Sequence, residues 1–185
     1  MKAERLAGEI AGQSARHVGM AEMLTRVARF KDLTASTEAF IDTLVPGHER
    51  KIYNVIGGGV TEDAGLAPAI PHAQDFHVTF IGAEPGKGAA LHAHPIIEAF
   101  MPLSGQWSVH CGDEGEQEIV LGPWDFISVP VGVMRGFRNV GKEHAHLMSI
   151  LGGTDPGRVS WAPQVLAAAM KTPLRLDEHG NVTRI

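Results

Sequence analysis

The sequence predicts an all-β protein, a run of short antiparallel strands with helical extensions at both ends. Two observations predict it. The 185 residues include 22 glycines and 11 prolines, enough turn formers to join many short strands. Several segments between those turns alternate apolar and polar residues, as in Trp107, Val109 and Cys111 against Ser108 and His110.

Residues 1–50 read as a helical arm outside the strand region. Met1–Gln13 carries a modest helical stripe of Leu6, Ile10 and Ala11, and Ser14–Met20 is a weaker join. Leu24–Leu33, with Val27 and Phe30, suits a short strand. Ser36–Leu44 predicts a helix capped by Ser36, with Phe40, Ile41 and Leu44 on one face, stopped by Pro46-Gly47. The arm holds no ligand set or nucleophile–base arrangement, which suits a cover or a dimer contact.

Residues 51–153 carry the strands. Lys51–Ile56 comes first and ends at Gly57-Gly58-Gly59. Val60-Thr61-Glu62 follows that triplet, not the Lys-Ser/Thr pair of a phosphate loop, so it reads as a turn. Residues 61–74 form a Pro/Ala-rich loop. Asp75–Ile81 is a strand with His77 on the face opposite Phe76 and Val78. Glu98–Leu103, Gln106–Cys111, Glu116–Leu121 and Asp125–Val129 follow as strands, with turns at Ser104-Gly105 and Asp113–Gly115. Trp107, Val109 and Cys111 are assigned to the interior, Ser108 and His110 to solvent. Glu143–Leu151 is the last strand of the region, and its His144-Ala145-His146 reads as partly exposed. In residues 154–185, Pro163 opens a helix to about Lys171 with Val165, Leu166 and Ala169 inward. Leu174–Leu176 and Val182–Ile185 then form a hairpin around Asp177–Asn181.

Chemistry concentrates in Gly86–Gly105, GKGAALHAHPIIEAFMPLSG. In an extended strand His92 and His94 share a face, with Cα atoms about 6.6 Å apart at about 3.3 Å per residue. Two imidazoles so placed can converge on one cation at about 2.0–2.1 Å from each nitrogen. Pro95 removes a donor and favours a bend, after which Glu98 returns on the next strand.

This spacing resembles the first motif of the cupin superfamily: Gly, five residues, His-x-His, three or four residues, Glu, six residues, Gly. Gly86, His92, His94, Glu98 and Gly105 fill every fixed position. Gly122–Asn139 resembles the second motif, Gly-x5-Pro-x-Gly-x2-His-x3-Asn. Pro130, Gly132 and Asn139 match, the leading Gly falls on Trp124, and the His position is Arg135. The resemblance implies one antiparallel double-stranded β-helix, a jelly-roll barrel, over residues 51–153, and a homodimer. It implies a metal held by His92, His94 and Glu98, without the fourth ligand, because arginine has no lone pair for a metal.

Three readings of Arg135 follow. It orients an anionic substrate group beside the metal, the preferred reading; or it pairs with Glu98 in a metal-free barrel; or it points away from both. His77 is the first histidine to consider as a replacement ligand. Two histidines and a carboxylate form the facial set of non-haem Fe(II) oxygenases. The expectation is therefore one divalent transition metal, Fe(II) first and Mn, Ni, Co or Zn otherwise, acting on a small organic acid. A metal-assisted isomerase or lyase, or a non-catalytic anion-binding module, are the alternatives. A net charge of −5 and no basic run exclude a nucleic-acid surface. One cysteine, Cys111, and no apolar span predict a soluble, cytoplasmic protein away from membranes.

Overall fold

The computed structural model describes residues 16–185. Two five-stranded antiparallel sheets face each other as a jelly-roll barrel. One runs β1 (Lys51–Ile56), β2 (Phe76–Ala83), β9 (Ala145–Gly152), β4 (Glu98–Pro102) and β7 (Ile127–Val129), in that spatial order. The other runs β10 (Ser160–Trp161), β3 (Gly88–Ala93), β8 (Arg135–Asn139), β5 (Trp107–Cys111) and β6 (Gln117–Leu121). The inner faces meet over Phe100, Trp107, Val109, Phe137, Leu147, Ile52 and Ile81, all buried. Strand β9 shows why: Ala145, Leu147, Ser149 and Leu151 are buried at a strict period of two.

The second motif's asparagine is structural. Asn139 is fully buried, and its Nδ2 donates to Ala83 O and Glu143 O at 2.9 and 2.8 Å. Its backbone exchanges bonds with Gly86 and Lys87, which seats the start of the first motif against β8.

The extensions differ from the sequence reading. The expected helix over Met1–Gln13 lies outside the described residues. The expected strand over Leu24–Leu33 is replaced by a short helix α1 (Met20–Leu24) and a single 3-10 turn, Phe30–Asp32. The helix expected over Ser36–Leu44 is absent. Its backbone groups are taken by distant partners: Ser36 exchanges hydrogen bonds with Ile52 at 2.9 Å each way, and Ile41 N donates to Glu62 Oε2 at 2.7 Å. Asp42, fully buried, accepts from both Arg50 terminal nitrogens and from Ala90 N. A polar side chain that binds backbone and cation at once outcompetes the helical ladder. The result is a strap across the barrel, with Ala39 in the barrel core.

The C-terminal helix and hairpin form where expected, but Leu166, expected inward, is 41% exposed. Helix α2 (Pro163–Ala169) has Pro163 in its first turn and buries Val165 and Ala169. Strands β11 (Leu174–Leu176) and β12 (Val182–Arg184) pair as the hairpin. Ala90, Ala162 and Val165 form a separate core on the outer face of the second sheet. For that reason Ser108, expected in solvent, is 1% exposed. His110 is half-buried over Gly136, where an added Cβ would lie 2.2 Å from its Nε2. Cys111, expected inside, is also only half-buried.

Candidate metal centre

Adjacent elements build the site. Strand β3 supplies His92, and His94 lies just beyond it, before the Pro95 bend. Glu98 opens β4. Arg135 opens β8 directly across from His92, so the departure at the motif's His position sits beside the first histidine. Ser149 comes from β9, and Trp161 of β10 pairs with His92 on its other side.

His92, His94 and Glu98 are all buried, and each offers a donor atom within 4.8 Å of the others. Their two imidazoles lie 5.0 Å apart, centroid to centroid. His92 Nδ1 is 2.7 Å from Ala90 O. A carbonyl only accepts, so Nδ1 carries the proton and Nε2 keeps the lone pair. A backbone carbonyl on the far nitrogen is the usual way a metal-binding imidazole is oriented. His94 Nε2 lies 3.5 Å from Glu98 Oε2, and its buried Nδ1 has no hydrogen-bond partner among the described residues.

Charge is arranged to keep both rings neutral. Burial first, then the Arg135 guanidinium, pushes His92 well below the usual histidine range and His94 down to about 3. Neutral imidazole is the form that binds a metal. Burial pushes the Glu98 carboxyl up, while Arg135 and Ser149 pull it back toward ionisation. Arg135 Nε and Nη2 donate to Glu98 Oε2 at 3.1 and 2.6 Å, and Ser149 Oγ donates to Oε1 at 2.6 Å. With three donors on its oxygens, the carboxylate is the species this geometry stabilises.

The cavity beside these residues leaves about 40 Å³ for the centres of water-sized molecules, room for about three waters. Phe40, Ile52, Ile81, Phe137, Leu151 and Trp161 give it mainly apolar walls. Arg135 is not among the lining residues. Its donors go to Glu98 and, at 3.4 and 3.3 Å, to the carbonyls of His92 and Val133. The geometry is that of the second reading, an ion pair between Arg135 and Glu98. The arginine on the wall is Arg50, held by Asp42 and stacked over Phe40 at 5.0 Å. His77 does not join the cluster either. Its Nδ1 accepts from Gly59 N and its Nε2 faces Thr154 O, both at 3.2 Å.

Sequence reasoning missed Ser149 and Trp161. Ser149 had a signal, since it is the one polar residue in the inward series of β9. Trp161 had none, because its place depends on the path of the preceding loop. Its ring lies 5.2 Å from His92, and its Nε1 donates to Glu62 Oε1 at 2.8 Å.

In donor type and spacing these residues fit a divalent transition ion: two neutral imidazoles, one carboxylate, and an unpartnered nitrogen on His94. Arg135 counts against tight binding, because it already neutralises the carboxylate.

A family model described as "Cupin domain" matches residues 79–151. A germin-like protein (subfamily 1 member 2) of Arabidopsis thaliana is 26% identical over 134 residues. That match covers 69% of this chain, and the chain spans 57% of the relative's length. Among solved structures, the polyketide cyclase RemF of Streptomyces resistomycificus superimposes with a TM-score of 0.54 at 16% identity, over 72% of this chain and 82% of that one. A Klebsiella pneumoniae protein with a double-stranded β-helix domain gives 0.54 at 17% identity, over 80% and 98%. Likeness at these identities is a likeness of fold. Among the described residues, no helix is long and apolar enough to cross a membrane.

Proposed function

Starting from a chain whose residues 79–151 form a cupin domain, we propose that the protein is a metal-dependent cupin that acts on a small organic acid, as an oxygenase. The convergence of His92, His94 and Glu98 at the cavity carries the reading. These three residues would hold one divalent ion, Fe(II) first. Such an ion supplies a Lewis acid and, as Fe(II), a reductant toward dioxygen. Three protein ligands leave positions free for a chelating substrate.

The chain's own residues do the rest. Ala90 O fixes the His92 ring. Burial and Arg135 keep both imidazoles unprotonated. Phe40, Ile52, Phe137 and Leu151 exclude water and take the apolar body of the substrate. Arg135 cancels the charge of Glu98, so the protein leaves a divalent charge uncompensated, and an anionic substrate group answers it. That argument retains an organic acid after Arg135 itself has left the cavity wall. The cavity size favours a compact one.

The test is metal content and dioxygen uptake together. Protein supplied with excess Fe(II) should bind up to one ion per chain. That ion should disappear in the His92→Ala/His94→Ala variant while the barrel stays folded, and dioxygen uptake should require both metal and a small acid. An unchanged metal content in the double variant rejects the reading. The Arg135–Glu98 pair favours one second reading, a non-catalytic module that captures an anion; tight binding with no turnover of any acid would select it.

A further inference from the structure

Glu98 would be the sole anionic ligand of the proposed metal, and it is already occupied. Oε2 accepts two guanidinium N–H groups from Arg135 and Oε1 accepts the Ser149 hydroxyl. Among the described residues, Glu98 is also the one carboxylate within 4 Å of Arg135. Both partners are at least 95% buried, so solvent does little to screen them.

The charge count in this corner is zero: one carboxylate, one guanidinium and two neutral imidazoles. An ion bound to Oε2 at about 2.1 Å would sit within about 5 Å of Arg135 Nη2, given the 2.6 Å bond between them. Two cations at that separation in a poorly screened site repel strongly. Arg135 also has somewhere else to go. Its Nη1 is already near the His92 and Val133 carbonyls at 3.4 and 3.3 Å, so acceptors other than Glu98 lie within its reach.

We propose that Arg135 is a resident cation that competes with a divalent metal for Glu98 Oε2, and so sets the metal affinity of the site. This rests on the metal-binding reading above. Arg135 is then a positioning residue that limits loading, so the metal binds weakly and reversibly until the guanidinium withdraws. The opposite role, a guanidinium that orients Glu98 for the metal, predicts the opposite sign.

The sign is measurable by titrating the metal-free protein with Co(II), followed calorimetrically. Arg135→Ala should bind Co(II) at least tenfold more tightly than the wild type. Arg135→Lys keeps a cation and should stay near the wild type. In a Glu98→Gln background the effect of Arg135→Ala should shrink, because no shared carboxylate remains and only the repulsion between the two cations is left. The melting temperature gives a second readout. Arg135→Ala leaves Glu98 unpaired and should melt lower without metal, yet gain more from Co(II) than the wild type does. If Arg135→Ala does not fold, Arg135→Gln keeps the length without the charge and should show the same gain. Equal or weaker Co(II) binding in the neutral variants overturns the competition while leaving the metal site standing. Absence of Co(II) binding in every variant overturns both.

Discussion

Trp161 joins the buried carboxylate of Glu62 to the His92, His94 and Glu98 cluster: its indole N–H donates to Glu62 Oε1 at 2.8 Å and its ring lies 5.2 Å from His92. Glu62 Oε2 accepts from Ile41 N at 2.7 Å, and Val182 N donates to Glu62 O at 2.7 Å. One residue thus ties the N-terminal strap, β10 and the C-terminal hairpin to one side of the cavity. Trp161→Phe keeps most of the ring and removes the donor. It should cost about 1–3 kcal/mol, the range for a buried acceptor left unmade, read as a lower urea midpoint. An unchanged midpoint would show that Glu62 finds another donor.

Glu62 also has a pH signature. Burial, largest among its influences, pushes its carboxyl up to about 7, with the Trp161 and Ile41 bonds opposing. The folded state then holds this proton more tightly than the unfolded chain, whose glutamate titrates near 4.5. Stability from this group is present below about 4.5 and is lost as pH rises toward 7. Glu62→Gln should remove that loss. The variant's stability relative to wild type should therefore improve between pH 5 and 8, by up to roughly 3 kcal/mol at about 1.4 kcal/mol per unit. A difference that does not change with pH would rule out a buried, proton-holding Glu62.

His94 runs the other way. Its folded value of about 3 lies below the usual 6.5 because burial and Arg135 disfavour the cation. Below pH 6.5 the unfolded chain takes up a proton that the folded one refuses, so stability is lost as pH falls from 6.5 toward 3. His94→Gln abolishes this titration. Between pH 7 and 5 the wild type should lose roughly 2 kcal/mol relative to the variant. Denaturation curves of metal-free protein at the two pH values check it, and a flat difference would mean that His94 protonates freely inside the barrel.

The meeting of His92, His94 and Glu98 was legible because it rests on local rules, and the barrel because two motifs resemble those of cupins. A period of two put His92 and His94 on one face, Pro95 turned the chain, and Glu98 came back on the next strand, in the facing sheet. What was not legible depended on pairing between distant segments. Ser36–Leu44 has a helical apolar pattern, yet Ile52, Glu62, Arg50 and Ala90 engage its backbone and side chains, and none of these is local. Ser108 alternates correctly for an outward residue. The helix covering that face is set by the chain after Trp161, so the alternation does not reveal which outer face is dry. Arg135 stood out as a motif departure, but its partner followed only once β8 was set against β3 with Arg135 opposite His92.

That same pairing makes Gly88 critical. A Cβ added there would lie 1.8 Å from Phe137 O, a backbone atom of the neighbouring strand. Nothing flexible can yield, so β3 and β8 would have to separate. Gly88→Ala should destabilise by about 3 kcal/mol or more, within the range of severe backbone and packing lesions, and should weaken metal retention by moving His92 away from Glu98. A variant that folds with wild-type stability would contradict the β3–β8 approach.

Trp124 is the converse case, a large residue where the backbone asks for glycine. It occupies the position of the second motif's leading glycine, and its φ is +73°, like Gly86 at +77°, Gly105 at +68° and Gly132 at +75°. A left-handed backbone costs a residue with a Cβ about 1–2 kcal/mol. The indole recovers little of that, since Trp124 is 74% exposed. Its conformation is fixed by the surrounding turn: Trp124 N donates to Pro102 O at 3.1 Å, and Gly122 N to Asp125 Oδ2 at 2.8 Å. Trp124→Gly should remove the strain. Part of the gain is offset, because glycine loses more chain entropy on folding. The net expectation is a stabilisation of about 1 kcal/mol by chemical denaturation, with metal content unchanged. Trp124→Ala separates backbone from ring, because alanine keeps the Cβ and hence the strain. If the alanine variant gains as much as the glycine variant, the exposed indole and not the left-handed backbone is the source of the instability.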